Sequence, residues 1–435
     1  MHHSIANGDS RLSFWLRVRE FAVPSSMIES ATARRAAGDW AGACAAAHVD
    51  VDLNPRHAAR VHGREFAARL RDDLRHLAPD LLRWHMPRIA PDGLIRPGVT
   101  VSLARYHEVH LVARTPPAWA DAGQRISLAL WDGSRSGAHP HPRPHQRFRL
   151  DLHRHLWDVR RVGELRVRSG ADRQPDGRDL GVPLPQGCAV DRWAAEAWTL
   201  LRAEGRAAGA VAVRLGRRRQ LVLDLDEGAA FQVRTAPVMP VLPDAATWVL
   251  PDLALLRAGL IEADRLHPLV APVLVPGHSP DDTPRSPERE AGTRLVECRG
   301  ARHRIAVVHG VLVPLDHDPA EIRRESLLAA LTGTPLPCLR VIDETHRAPE
   351  DLIDVRTRLD HGDTAGALAA VEDLLGPDAP LPRGALREEL ETAAQRRIDH
   401  GLFRAGLDGL GQGPAARPDR RSRDGRARPR HATYR

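Results

Sequence analysis

The chain has no lysine, so all 63 of its basic residues are arginine. A Walker A loop, a protein-kinase ATP site and a pyridoxal Schiff base each need a lysine amine that guanidinium does not replace. Those three classes are excluded, and any nucleotide hydrolysis in its biology has to come from a partner, such as an NTPase acting in trans. Asparagine is nearly absent as well, with only Asn7 and Asn54. Against an abundance of Ala, Arg, Gly and Pro, that is the composition of a GC-rich bacterial genome, and coding bias accounts for part of the arginine excess. Aromatic residues are 4% of the chain, Trp more often than Tyr, so the interior is aliphatic with tryptophans as scattered anchors.

The four cysteines, Cys44, Cys188, Cys298 and Cys338, stand too far apart for any CxxC pair. No apolar leader opens the chain, which points to reduced thiols in a cytoplasmic protein. Every candidate apolar run is interrupted by Arg, Asp or Pro before it reaches the roughly 18 to 20 uncharged residues of a membrane helix, so no span is expected.

What is present suffices for a folded protein. Hydrophobic residues are 42% of 435, a length beyond the roughly 250 to 300 residues at which one core stops growing. The formal charge is +7, but Ala415 to Arg435 carries eight Arg against two Asp. Six of the seven net charges therefore lie in the tail, and the body is almost neutral.

Periodicity divides the chain into an α+β protein, with helical modules at both ends around a β-rich middle. An N-terminal helical module is expected over 11–90, after a disordered start. Met27 to Ala47 reads as helix, turn, helix around Gly38-Asp39. His57 to Trp84 reads as one long helix whose stripe is Val61, Phe66, Leu70, Leu74, Leu77, Leu81 and Leu82. From Gly93 the period changes to two, and 91–276 is expected to be β-rich. Its strand-like runs include Val99–Leu103, Val109–Ala113, Ile126–Leu130, Phe148–Leu152, Leu165–Val167, Ala210–Leu215, Gln220–Leu225 and Trp248–Leu250, interrupted by a helix over Asp191–Glu204. The Pro, Asp and Ser run over 277–290 reads as a linker. A C-terminal α+β domain follows over 291–412, with a hairpin turning at His309-Gly310 and helices from Pro319 and Pro349. The Arg-rich tail over 413–435 is read as disordered.

The two ends resemble each other. Residues 33–46 (ARRAAGDWAGACAA) align with residues 357–370 (TRLDHGDTAGALAA) at an offset of 324, and Arg64-Glu65 and Arg387-Glu388 repeat the match to within one residue. A helix that stops at Gly-Asp and restarts with small residues lets two antiparallel helices pack closely. This is similar to one hairpin of a tetratricopeptide-type repeat. The resemblance covers about 60 residues at each end and implies two similar helical hairpins, an architecture suited to protein contact.

Candidate chemistry is sparse. His139, His141, His153 and His155, with His145 beside them, are the raw material of a site for Zn or another divalent metal. A strand over Arg149–Leu156 would put His153 and His155 on one face, with His107 and His110 approaching from a neighbour. The Pro-rich HPHPRPHQ run also reads as a solvated loop. Asp224 and Asp226 would share one face at a strand end, where paired acids hold Mg²⁺ or move protons. Asp343 to His346, and His317-Asp318, read as helix caps, and Cys298 as a strand-end thiol. Gly133 to Gly137 has Arg135 where a nucleophile elbow needs Ser, and Gly409 to Gly413 has no strand before it. Phosphate contacts could come from Arg217, Arg218 and Arg219 and from the tail residues Arg420, Arg421 and Arg423.

The resulting expectation is a non-catalytic adaptor or structural component of a bacterial cytoplasmic multiprotein system, binding other proteins and holding no cofactor. The alternatives are nucleic-acid binding through the tail and a metal-dependent enzyme using the histidine cluster.

Overall fold

The computed structural model describes residues 8–133, 142–173, 183–216, 219–225, 230–232, 239–278, 294–298, 301–308, 311–314, 323–324, 349–375 and 385–407. Its class is α+β.

The chain enters through α1 (Gly8–Arg17) and a wider-wound π-helical stretch over Val18–Ala22, then forms the expected hairpin from α2 (Ser25–Ala36) and α3 (Trp40–Ala46). Strand β1 (Val49–Val51) follows directly. The long helix expected over His57–Trp84 is instead three, α4 (Pro55–His62), α5 (Arg64–Arg75) and α6 (Pro79–Trp84). Asn54 caps α4 by accepting from the amides of Arg56 and His57, and Pro55 fills the first turn, where its missing N–H costs nothing. Gly63, at φ +92°, breaks the helix before Arg64. Three axes leave the stripe intact from Leu70 onward, where every position is buried, while Val61 is 59% exposed.

A short ladder of β2 (Arg88–Ile89) and β3 (Leu94–Ile95) leads to the main sheet, in the order β1-β6-β5-β4. β4 (Thr100–Tyr106), β5 (Val109–Arg114) and β6 (Ile126–Trp131) run antiparallel, and β1 joins β6 in parallel with Val49 opposite Ile126. One continuous core takes Leu70, Leu74, Leu81 and Trp84 from the helices, Val101, Leu103, Leu111 and Leu128 from the sheet, and Trp157 and Val270 from beyond it. The N-terminal helices cover the sheet across the expected 90/91 boundary, and β1, which lies among them in the chain, is one of its strands.

A second core sits within the middle segment. Helix α8 (Val190–Ala203) lays Trp193, Ala197, Leu200 and Leu201 on the sheet of β7 (Ala210–Arg214), β8 (Gln220–Asp224) and β9 (Ala230–Gln232). Three expected strands are not strands. Phe148–Leu152 is a buried turn with one bridge, Ser102 to Arg149, and it is held by Trp157 Nε1 donating to Leu150 O. Leu165–Val167 lies in the helix α7 (Leu165–Ser169). Trp248–Leu250, between α9 (Asp244–Thr247) and α10 (Pro251–Arg257), makes one bridge to Cys188. Short apolar runs pack equally well as buried turns, so period alone did not separate them. α11 (Ala271–Leu274) closes this part.

Past the expected linker, of which only Gly277 and His278 are described, come β10 (Arg294–Cys298), β11 (Ala301–Val308) and β12 (Val311–Pro314) in a meander. Val308 pairs with Val311, while His309 and Gly310, the expected turn, lie outside the described residues. Then α12 (Pro349–His361) and α13 (Thr364–Leu375) form the second hairpin, with α14 (Ala385–Ala405) against it over Val355, Leu359, Ala367 and Val371.

This hairpin does not stand apart. The guanidinium of Arg83, fully buried, donates from Nε to Ala22 O at 2.8 Å, from Nη1 to Gln124 O at 2.5 Å and from Nη2 to His361 O at 2.9 Å. Gly362 lies on Gly123 backbone to backbone. His400 Nδ1 donates to Ala120 O at 2.9 Å, and Phe403 meets Trp119 edge to face at 5.5 Å. The C-terminal helices are seated on the N-terminal unit, and the β-rich middle lies between two parts of one helical assembly.

Candidate binding cleft

The two Gly-Asp turns close with the same bonds. Gly38 and Gly362 adopt φ +77° and +88°, in the left-handed region that ends a helix without a Cβ penalty. Asp39 N donates to Arg34 O, and Asp363 N to Arg358 O, each at 2.9 Å. Each Asp then caps the next helix, accepting from Gly42 N at 2.8 Å and Gly366 N at 2.9 Å. Each is also held by the preceding Arg, Arg34 at 3.1 Å and Arg358 at 3.0 Å. A Cβ at Gly42 or Gly366 would run into that Asp carboxylate, so any larger residue there would displace the cap. The sequence match at an offset of 324 is thus also a match of geometry.

Between the hairpins runs a cleft of 890 Å³. Its walls are made of small residues, Gly42, Ala45 and Ala46 on α3, Ala365 on α13, and Ala393 and Gly401 on α14, which bring the facing helices within reach of a main chain laid between them. Five arginines line it, Arg34, Arg125, Arg396, Arg397 and Arg404, with His48 and His400, while Asp363 is its one lining carboxylate.

The arginines are fixed from behind. Arg125 grips Asp50 with two bonds, of 2.9 and 2.5 Å; Arg404 pairs with Asp50 at 3.0 Å and also with Asp52; and Arg396 meets Asp360 at 2.5 Å. Burial would raise the Asp50 carboxyl, but the hydrogen bonds from Arg125, the His400 ring 3.6 Å away and the charges of Arg125 and Arg404 hold it below the usual carboxylate range. Burial first, then the charges of Arg83 and Arg125, pushes His48 down to about 3, so its ring is neutral. Arg397 is exposed, with no hydrogen-bond partner among the described residues. Asp39, Asp50, Asp52 and Asp360 pair with four of the five guanidinium groups and leave Arg397 alone, so most of the cleft's positive charge is offset by carboxylates.

No protein-family model, curated protein or solved structure matches the chain.

The residues singled out in the sequence are scattered. His139 and His141 lie outside the described residues. His153 and His155 are buried 5.8 Å apart, in a turn and a 3₁₀ helix rather than on a strand. His153 Nδ1 faces Arg149 O at 3.0 Å and its Nε2 stands 3.2 Å from Glu196, which Arg168 also grips with two bonds of 2.7 Å. Burial pushes His155 well below its ordinary value, and the neighbouring His153 adds to it. His107 occupies the β4–β5 turn, His110 meets Ser102 Oγ at 3.1 Å, and His145 stacks near Phe148. Among the described residues no group of three or more His, Cys, Asp or Glu is placed to hold a metal ion. Asp224 ends β8 half-buried, while Asp226 is not described. Arg219 is exposed just before β8; Arg217, Arg218, Arg420, Arg421 and Arg423 lie outside the described residues, as do Asp343 to His346, His317-Asp318 and Gly409 to Gly413. Cys298 is the last residue of β10. No helix among the described residues is long and apolar enough to cross a membrane.

Sequence reading missed the cleft. Its signal was the spacing of Arg396, His400 and Arg404, a polar stripe four residues apart on one face of α14. Glu196 was equally visible, as an acid set in the apolar face of Trp193, Ala197 and Leu200.

Proposed function

We propose that this protein is a non-catalytic adaptor of a cytoplasmic assembly whose inter-hairpin cleft receives an extended, carboxylate-bearing segment of a partner protein. The observation that carries the reading is an arginine-rich cleft in which four of the five guanidinium groups are held by carboxylates. Guanidinium groups held in place by carboxylates line the space between the hairpins, and the planar guanidinium fork suits carboxylates and peptide carbonyls. A polyanion such as nucleic acid is drawn by net positive field and counterion release, which the aspartates paired with four of the five arginines reduce. The Gly and Ala walls favour a main chain over a bulky side chain.

Photo-crosslinking in cells tests this. A benzophenone amino acid at Ala45 or Ala365, both exposed in the cleft, is expected to capture the same protein, and one at Val167, exposed elsewhere, to miss it. Adducts to nucleic acid, or no cleft-dependent adduct, would overturn the reading and return weight to the Arg-rich tail.

A further inference from the structure

A second cavity, of 590 Å³, shares no lining residue with the cleft. It lies where α1, the segment after α6, the 147–150 turn and the stretch from α9 to α10 converge. Its walls are strongly apolar, with Trp15 from α1, Phe148 and Leu150 from the turn, and Trp248, Leu250 and Pro251 from the last stretch. The volume falls within the roughly 300 to 1,000 Å³ typical of small-molecule sites.

Three arginines reach this cavity, and two of them are neutralised. Arg147 grips Asp244 with bonds of 2.9 and 2.7 Å. Arg149 grips Asp151 with bonds of 2.8 and 2.9 Å and meets Glu204 at 2.7 Å. Arg88 has no such partner. Its terminal nitrogens donate to Gly93 O at 2.8 Å and Arg83 O at 2.7 Å, its Nε is buried without an acceptor, and no carboxylate among the described residues pairs with it. The nearby charge is the like charge of Arg83. A guanidinium does not escape by losing its proton, so a half-buried cation with its Nε fully enclosed is left lining a greasy cavity with one donor unused. Beside it, His85 lines the same wall. Burial, opposed by Asp252, lowers it to about 4, so its neutral ring offers one donor and one acceptor.

An apolar cavity holding one unpaired cation is the complement of an amphipathic anion. We propose that this cavity binds a small carboxylic acid with an apolar body, its carboxylate on Arg88 beside His85 and its chain or ring against Trp15, Phe148 and Trp248. Such a ligand supplies the missing acceptor and fills the volume at once, and it ties α1 to the 244–251 stretch.

Titration of the full chain with decanoate, decanol and acetate, followed by calorimetry and by the fluorescence of Trp15 and Trp248, tests the proposal. Decanoate is expected to bind at least about tenfold tighter than decanol, the worth of a hydrogen-bonded charge, and acetate not measurably. Arg88→Met is expected to bring decanoate and decanol to equal affinity, and Val249→Trp, which fills the cavity, to abolish binding of both. Equal affinity for decanoate and decanol in the unmodified protein, binding of acetate as tight as of decanoate, or no binding of any of them overturns it. This comparison on the native chain decides the matter even if the Arg88 variant does not fold.

Discussion

Gly38→Ala and Gly362→Ala make a matched pair, because the two turns share their bonds and differ in what lies over them. Each glycine adopts a left-handed φ, which costs an alanine about 1 to 2 kcal/mol. At Gly38 a Cβ meets nothing within 4 Å, so the conformational cost is the whole effect. At Gly362 the same Cβ would overlap the carbonyl oxygen of Gly123, with the carbonyl carbon at 2.9 Å and Cα at 3.1 Å. Those atoms are backbone and cannot rotate aside, so overpacking adds about 1 to 3 kcal/mol. Gly38→Ala is thus expected to cost about 1 to 2 kcal/mol and Gly362→Ala about 2 to 5 kcal/mol in urea unfolding. The excess should appear as undocking of the hairpin: limited trypsin digestion of native protein should cut after Arg358, Arg396 or Arg397 far faster in Gly362→Ala than in Gly38→Ala. Equal costs, within about 0.5 kcal/mol, with unchanged digestion would refute the glycine-on-glycine seat.

Other expectations follow from single groups. Arg83→Met removes the donors of the Ala22, Gln124 and His361 carbonyls, each worth about 1 to 3 kcal/mol when left unmet, so a loss of at least about 3 kcal/mol is expected in urea unfolding; a loss under 1 kcal/mol would mean that the latch is dispensable. His48 and His361 are pushed down to about 3 and His85 to about 4, burial being the leading cause in each. The unfolded chain, with imidazoles near pKa 6.5, then binds protons that the folded one refuses. Stability should be full above about pH 6.5 and fall towards pH 4, each histidine adding a slope of up to about 1.4 kcal/mol per pH unit. His361→Gln, which keeps an N–H for the Asp92 carbonyl, should reduce that slope, and a flat profile from pH 7 to 5 would contradict the burial of these rings. Cys44 is 1% exposed, with burial pushing its thiol up to about 12, so in native protein thiol reagents should modify it only as fast as the chain opens, and later than half-buried Cys188; peptide mapping that finds both labelled at one rate would refute this.

Local signals carried a good part of the fold. Alternation over Val99–Leu103 and Ile126–Leu130 gave real strands because both lie in a covered sheet, where side chains must point to opposite sides. Gly-Asp turns were readable because glycine answers a left-handed φ and Asp a helix cap, needs set within five residues. The helix over His57–Trp84 was overextended because a stripe of leucines does not register a break that preserves the facing side, even with Gly63 and Pro79 in view. The candidate metal and phosphate residues clustered in sequence without clustering around any common centre among the described residues.

By itself the sequence determined the local chemistry: no lysine, hence no P-loop or Schiff base; two equivalent helical hairpins; strands where period two is sustained; and a body close to neutral, with its basic excess in the tail. Tertiary structure alone decided what those pieces make together. Arg83 reaches Ala22, Gln124 and His361, groups up to 278 residues away, and β1 crosses from the helical part into the sheet. The cleft, the cavity and the unpaired Arg88 exist only through such long-range contacts. The physical reason is one of range: propensity, caps and turns are settled within a few residues, whereas burial of a charge depends on which distant surface closes over it.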